Sequence, residues 1–179
     1  MQPCAGPWPR LRASIAADFV SEALGDAHDV ASFTCGEDVL DDWLKNSART
    51  AETRRTARTF VWCTGTREVV AYYSLAAYAI APDNVSRSMA GGAREQIPAI
   101  LLARLALDQS MHGEGLGTRL LGHALDKAVA ASYLAGARFV VVDALNDAAH
   151  QFYRHFGCSD TPIPGRLIMK VSTIVDGLP

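Results

Sequence analysis

The sequence has few of the features that mark specialised protein classes. Its 179 residues carry a formal net charge of −2, so no overall basic character points to nucleic acid. The four cysteines form no Cys-x-x-Cys pair and have no histidine at zinc-finger spacing, which argues against a disulfide framework or a metal site. No apolar run reaches the roughly 18 residues of a membrane span, and no signal peptide, internal repeat or low-complexity tract is recognisable. We therefore expect a reduced, cytoplasmic protein without a membrane partner.

The remaining composition is that of an ordinary globular domain. Hydrophobic residues make up 49% of the chain and charged residues 20%, which is enough to fill one core. We expect a disordered N-terminus over residues 1–10 and a single domain over residues 11–179.

Periodicity and turn residues predict the elements of the first half. A weak first strand is expected over 11–19, followed by one or two amphipathic helices over 35–52. Two runs of β-forming residues, 57–65 and 68–81, predict a hairpin. A long polar loop is expected over 82–98, and a loop of that length in a compact domain is usually functional or mobile.

The second half predicts a strand, a helix and a strand in succession. A buried strand is expected over 99–108, a helix over 115–134 and a second buried strand over 137–145. This order predicts one parallel, right-handed crossover in an otherwise antiparallel mixed α/β fold. A short helix over 147–157, ending at a glycine, and a last strand over 166–175 complete the chain.

The stretch MHGEGLGTRLLGHALDKAV, residues 111–129, places three glycines at alternate positions before a helix. A helix N-terminus carries unpaired N–H groups and partial positive charge, and glycines there let a phosphate approach the backbone. No Gly-Lys-Ser/Thr follows, so this is not a Walker loop, and the spacing is not that of the dinucleotide fingerprint. On spacing alone, the turn either binds an anion or only joins strand to helix.

Two motifs in this half resemble those of the GNAT superfamily of acetyl-CoA-dependent N-acetyltransferases. The family's pyrophosphate motif, Gln/Arg-x-x-Gly-x-Gly/Ala, is similar to residues 112–117, with His112 in place of Gln or Arg. Downstream, residues 144–158 resemble the family segment Asn-x-x-Ala-x-x-Phe-Tyr-x-x-x-Gly-Phe, with Cys158 in place of the final Phe. The two motifs lie in the family's order and flank a predicted buried strand.

The resemblance implies a GNAT fold with a splayed acetyl-CoA cleft, acetyl-CoA as co-substrate and no metal. Tyr153 matches the family's general acid, and the backbone near Leu107 would stabilise charge on the acetyl oxygen. A phenol near pKa 10 is a weak acid for a thiolate whose conjugate acid lies near 8.5, so either a depressed Tyr153 pKa or a hydrogen bond without full proton transfer is expected. The implied cofactor-binding residues are Leu105, Ala106, Leu107, His112, Gly113, Glu114, Gly115, Leu116, Gly117, Thr118 and Asn146.

The first half resembles one branch of that superfamily, the GNAT-type toxins of bacterial toxin–antitoxin pairs. That branch carries a Phe-x-Cys-Gly step and then Leu-Asp-x-aromatic-Leu, which match residues 33–36 and 40–44. The stretch IPAILLARLALD, residues 97–108, resembles its Pro-x-x-Leu-Leu-x-Arg-Leu-Ala-x-Asp segment. The resemblance implies acetylation of the aminoacyl group on charged tRNA, a block of translation, a ribbon-helix-helix antitoxin encoded next to it, and a homodimer. Most of these residues are equally expected in a core.

One basic segment stands out in this acidic chain. Residues 45–58 contain five basic residues and one acidic residue, a net +4 that leaves −6 for the rest. Such a cluster either binds phosphates or is a solvated helix face paired with acids. Together with two arginines of the predicted polar loop, the candidate tRNA-binding residues are Lys45, Arg49, Arg54, Arg55, Arg58, Arg87 and Arg94.

Two alternatives stay open. The first is a GNAT enzyme acting on a small-molecule amine or a protein N-terminus, which predicts an acidic acceptor cleft and no role for residues 45–58. The second is a non-catalytic GNAT fold that binds coenzyme A or a partner, against which the retained Tyr153 speaks.

Overall fold

The computed structural model describes residues 19–177, which form two compact units. The first unit takes in the described residues up to Ala76 together with Leu102–Asp126. The second takes in Ala77–Leu101 and the described residues from Lys127 onward. The predicted disordered segment 1–10, and all but the last residue of the predicted strand 11–19, lie outside the described residues.

The first unit opens with a short strand and two helices. Strand β1 is Glu22–Ala23, helix α1 is Asp38–Asn46 and helix α2 is Ala48–Thr53. Acidic residues in the first turn of α1 and Lys45 in its last turn complement the helix dipole. The prediction of one or two helices over 35–52 is confirmed.

The predicted hairpin is present. Strand β2, Arg58–Cys63, pairs antiparallel with strand β3, Val69–Ile80, and β1 extends the ladder on the other side of β2. A register shift between Trp62 and Cys63 marks a bulge just before the turn.

The predicted polar loop 82–98 was wrong in detail, because it contains two short helices. Pro82–Asn84 forms a 3₁₀ turn, where Pro82 has no N–H to leave unpaired. Helix α3, Arg87–Ala90, begins at Ser86, whose side chain accepts from the Met89 N–H, and ends at Gly91 with φ +58°.

The crossover follows the predicted order. Strand β4 is Ile97–Leu107, helix α4 is Leu116–Ala135 and strand β5 is Phe139–Asp143, with a 3₁₀ turn at Gln109–Met111. The apolar stripe predicted for α4 is buried: Leu116, Leu120, Leu121, Ala124, Leu125, Ala128 and Val129.

The end of the described chain differs from the prediction of a strand over 166–175. Helix α5, Asp147–His155, and strand β6, Ser159–Asp160, precede strand β7, Arg166–Lys170. Helix α6, Val171–Gly177, replaces the predicted second half of the strand. The register explains this, because Lys170 pairs with Phe139, the first residue of β5, and no β5 residue remains for a longer β7.

The seven strands form one sheet in the order β1-β2-β3-β4-β5-β7-β6. Its pairs are antiparallel apart from one parallel pair, which confirms the mixed α/β class with a single crossover. A cluster around Phe33, Leu44 and Tyr72 fills the core of the first unit, and one around Ile80, Phe139 and Ile168 fills that of the second. Within residues 19–177, no helix combines the length and the apolar character needed to span a membrane.

Candidate active site

The glycine turn before α4 presents bare backbone. Gly113 and Gly115 have φ of +87° and +72°, which is the left-handed region that favours glycine. A Cβ atom built on either glycine, or on Gly117, would meet nothing within 4 Å, so the turn faces open space. The N–H groups of residues 113–117 donate to no other described residue. This arrangement suits an anion at a helix N-terminus.

His112 has a structural bond of its own. Its Nε2 lies 2.9 Å from the carbonyl oxygen of Leu107, and because a carbonyl only accepts, Nε2 carries the proton. The bond ties the turn to the end of β4. The Nε2 proton is therefore already engaged, and the backbone N–H of His112 donates to the Gln109 carbonyl at 3.2 Å.

The end of β4, which includes Leu105, Ala106 and Leu107, is fixed by Asp108. The Asp108 carboxylate accepts from the Thr34 N–H at 2.9 Å and from the Ser110 N–H and hydroxyl at 3.0 and 2.6 Å. Burial alone would raise the pKa of Asp108, but these hydrogen bonds outweigh it and hold the pKa below its usual value. Residues 105–107 are thus joined to the segment that leads into α1.

The residues of the toxin-like signature act mainly in folding. Gly36 has φ +92°, and a Cβ there would lie 2.6 Å from the side-chain nitrogen of Gln109. Asp41 is buried and accepts from the Cys35 N–H at 2.9 Å, which fixes the entry to α1. Burial raises the pKa of the Cys35 thiol to about 12, with the hydrogen bond to Asp41 adding to it, so this thiol stays protonated.

Tyr153 lies on α5, in the second unit, with Asn146 at the start of that helix. The Asn146 side chain accepts from the Ala149 N–H at 2.9 Å and so caps the helix. Tyr153 is only 7% exposed. Its hydroxyl has no hydrogen-bond partner among residues 19–177.

Burial raises the pKa of Tyr153, and the neighbouring Cys158 raises it further. A depressed phenol pKa, one of the two expectations above, was therefore wrong. The remaining expectation is a protonated phenol that donates a hydrogen bond without full proton transfer.

The other polar residues of α5 hold the helix in place. His150 Nε2 lies 2.7 Å from the carboxylate of Asp160, and Arg154 pairs with the same carboxylate. These contacts join α5 to β6, so His150 is occupied.

The basic segment 45–58 is only partly neutralised. Arg58 pairs with Glu52 at 3.0 Å, and Arg49 donates to the His28 carbonyl at 2.8 Å with Asp26 3.9 Å away. Lys45, Arg54 and Arg55 have no ion-pair partner among the described residues. The alternative of a paired face therefore holds for Arg49 and Arg58, and phosphate binding by the other cations stays a prediction.

Arg87 and Arg94 lie in the second unit. Both are exposed and unpaired within residues 19–177. Arg94 lines a cavity of about 660 Å³ beside Arg138 and the start of β4.

The described residues bring together one group of side chains of the kinds that bind metals. Ligand atoms of Glu22, His28 and Cys63 all lie within 4.8 Å of one another. Glu22 also pairs with Arg67 at 3.2 Å, and burial raises the pKa of the Cys63 thiol to about 11. A nearby cation and a protonated thiol both disfavour a metal ion here.

Sequence reasoning did not single out Arg104. Its guanidinium carbon lies 5.4 Å from the centre of the Trp43 ring, and its buried Nε has no hydrogen-bond partner among the described residues. One sequence signal was available, because Arg104 is the only charged residue in the strand IPAILLARLAL.

The chain is similar in sequence to known toxins. The tRNA-acetylating toxin of Mycobacterium tuberculosis is 41% identical to the chain over 143 residues, 78% of this chain and 83% of the toxin. The probable toxin TacT of Sinorhizobium fredii is 26% identical over 161 residues, 82% and 87% of the two chains.

Solved structures show the same fold. AtaT complexed with acetyl-methionyl-tRNAfMet superposes with a TM-score of 0.81 at 29% identity, covering 88% of this chain and 98% of AtaT. A tyrosine-to-phenylalanine variant of KacT gives 0.84 at 24% identity, covering 89% and 99%, a likeness of fold. The sequence profile of the acetyltransferase (GNAT) family matches residues 18–158, and the chain therefore belongs to that family.

Proposed function

We propose that the protein transfers the acetyl group of acetyl-CoA to the amino group of the aminoacyl residue on charged tRNA, and thereby blocks translation. The observation that carries the proposal is the 41% identity to a tRNA-acetylating toxin across 83% of that toxin's length. The AtaT complex with an acetylated aminoacyl-tRNA adds a structural relative with the same chemistry.

The glycine turn fits the donor. The unpaired N–H groups of residues 113–117 would bind the pyrophosphate of acetyl-CoA, and the open space at the three glycines leaves room for it. The backbone of residues 105–107 would pair with the pantetheine arm, with an N–H near Leu107 facing the acetyl oxygen. When bound, acetyl-CoA supplies the activated thioester. Acetyl-CoA is also present in a solved complex of the AtaT–AtaR pair.

Proton transfer needs help mainly at the leaving group. A free α-amino group has a pKa of about 7.7–8.0, and the ester bond to tRNA lowers it, so much of the acceptor amine is neutral at pH 7. A strong base is then unnecessary, in keeping with the engagement of His150 by Asp160. Tyr153, protonated and without a hydrogen-bond partner among residues 19–177, would donate a hydrogen bond to the departing sulfur.

The acceptor would be attracted by the cations that lack acidic partners. Lys45, Arg54 and Arg55 are free to neutralise phosphates, whereas Arg49 and Arg58 also hold the local fold. Exposed cations of this kind give affinity that falls steeply with salt. Arg87 and Arg94, the exposed cations of the second unit, stay candidate tRNA-binding residues.

The proposal extends to partners and location. A solved structure shows AtaT bound to the C-terminus of the antitoxin AtaR, and we propose a ribbon-helix-helix antitoxin for this protein. We also propose a homodimer in the cytoplasm. A short ribbon-helix-helix reading frame beside the gene would support the antitoxin.

The experiment that tests the function is acetyl transfer from labelled acetyl-CoA to bulk charged tRNA. The matched control is the same tRNA after deacylation, since it offers the same phosphates without the amine. We expect label only on the charged tRNA, released by mild alkali as acetyl-amino acid because alkali cleaves the ester. If the enzyme acetylates small amines or protein N-termini and leaves charged tRNA unlabelled, the alternative GNAT activity replaces the proposal.

A further inference from the structure

Arg104 occupies an unusual position for a charged residue. It lies within β4, whose other ten residues are uncharged, and its neighbours on the same face, Leu102 and Ala106, are buried. The residue is partly exposed, so an ion in solution can still reach its guanidinium group.

Three side chains of the first unit form a layered arrangement, which we call the Arg104 stack. Tyr72 and Trp43 are 5.9 Å apart between ring centres and nearly parallel, at 13°. The guanidinium carbon of Arg104 lies over the Trp43 ring at 5.4 Å. Tyr72 is fully buried and donates a hydrogen bond of 2.8 Å to the Leu40 carbonyl, so the base of the stack is fixed. The stack therefore places the cationic end of Arg104 over the Trp43 ring.

The charge of Arg104 has no counterion among residues 19–177. One Nη1 hydrogen bond of 2.6 Å goes to the Ala103 carbonyl, Nε is enclosed without a partner, and no carboxylate within residues 19–177 pairs with the group. Arg49, Arg58 and Arg67 of the same unit each have a carboxylate within 4 Å. A partly buried cation without a counterion destabilises the protein when no ligand is bound. A bound anion would offset that destabilisation.

We propose that Arg104 binds a phosphate group of the acceptor end of tRNA while its guanidinium lies over the Trp43 ring. This inference rests on the proposed function. The carboxyl group of the amino acid on charged tRNA is esterified, so the anions left near the reacting amine are phosphodiesters. A planar guanidinium gives paired hydrogen bonds to phosphate, which a lysine cannot reproduce.

Coenzyme A also carries phosphates, but the structure favours tRNA as their source. The N–H groups of residues 113–117 already offer a separate anion site. Trp43 lies in α1, which also carries Lys45, the first residue of the basic segment. The separate anion site therefore leaves a phosphate of tRNA as the partner proposed for the Arg104 stack.

The first test is Arg104→Lys, which keeps the charge and loses the planar donor pair. We expect KM for charged tRNA to rise about tenfold or more, with KM for acetyl-CoA unchanged within twofold. The matched control is Arg67→Lys, an arginine paired with Glu22 and outside the proposed site, which should change neither constant. A rise in KM for acetyl-CoA alone, or no change in either, would overturn the inference.

The second test uses the unaltered protein and so does not depend on folding of a variant. Phenylglyoxal modifies accessible guanidinium groups, and mass spectrometry reports its addition at Arg104. We expect deacylated tRNA to protect Arg104 and acetyl-CoA not to. Protection by acetyl-CoA alone, no protection, or no reaction in the free protein would each overturn the inference. If the unaltered enzyme does not label charged tRNA at all, the proposed function itself is wrong. That outcome differs from a failure of the Arg104 inference, in which the unaltered enzyme still labels charged tRNA.

Discussion

The glycine turn and helix α5 serve the proposed reaction by different means. The turn offers backbone N–H groups of residues 113–117, and none of its side chains is needed for that. Helix α5 offers one side chain, Tyr153, which is buried and whose hydroxyl has no hydrogen-bond partner among the described residues. A backbone site depends on φ and tolerates changes of side chain, whereas a side-chain site depends on one atom and tolerates changes around it. Single substitutions should separate the two regions cleanly.

The largest effect is expected from a substitution in helix α5, which acts through the side chain of Tyr153. Tyr153→Phe removes only the hydroxyl, and because general-acid help is worth about 10²–10⁴-fold, kcat should fall within that range. The ring keeps its packing, so the melting temperature and KM for acetyl-CoA should hardly change. Steady-state kinetics with charged tRNA, alongside thermal unfolding, measure both. A variant that keeps more than a tenth of kcat would remove Tyr153 from the proposed chemistry.

The glycine turn should be sensitive to the φ that a substituted residue can adopt, and not to the chemical character of its side chain. Gly115→Ala forces an alanine to φ +72°, which costs about 1–2 kcal/mol, so the affinity for acetyl-CoA should fall about 5–30-fold as the turn shifts. Gly117→Ala is the matched control, since Gly117 lacks a positive φ and its Cβ would meet nothing. Titration of acetyl-CoA measures both. Equal losses in the two variants would show that space, not φ, governs the turn.

The two regions should also differ in pH dependence. Below the pKa of the acceptor amine, kcat/KM should fall about tenfold per pH unit as the amine gains a proton. Burial raises the pKa of Tyr153, so its phenol stays protonated and no alkaline loss should occur up to about pH 10. A pH–rate profile with charged tRNA of known stability measures this. A decline between pH 8 and pH 9 would contradict a protonated Tyr153.

The smallest effect is expected at two arginines whose backbone adopts the left-handed conformation. Arg55 and Arg67 have φ of +57° and +67°, so glycine at either position should relieve strain and stabilise the fold by up to about 1 kcal/mol. Only Arg55→Gly should weaken tRNA binding and lower the salt slope by about one phosphate contact. Thermal unfolding and tRNA binding across salt concentrations measure both effects. The same salt slope in both variants would remove Arg55 from the tRNA surface.

Local sequence patterns determined most of the elements. Alternation, helical spacing and glycine placement were enough for α1, α2, the hairpin, the crossover and α5, because those signals act over a few residues. The buried stripe of α4 followed from the same spacing. The glycine turn was recognisable because its chemistry is backbone chemistry, written directly into the spacing of Gly113 and Gly115.

Other features were decided by contacts between distant residues. The end of β7 at Lys170 depends on where β5 begins. The raised pKa of Tyr153 depends on burial, which no local pattern gives. The sequence by itself determined most of the elements and predicted which residues carry the family's chemistry. Only the tertiary structure decided which cations lack acidic partners. Arg58 pairs with Glu52, whereas Arg104 lies over Trp43, because the folded chain brings these side chains close together.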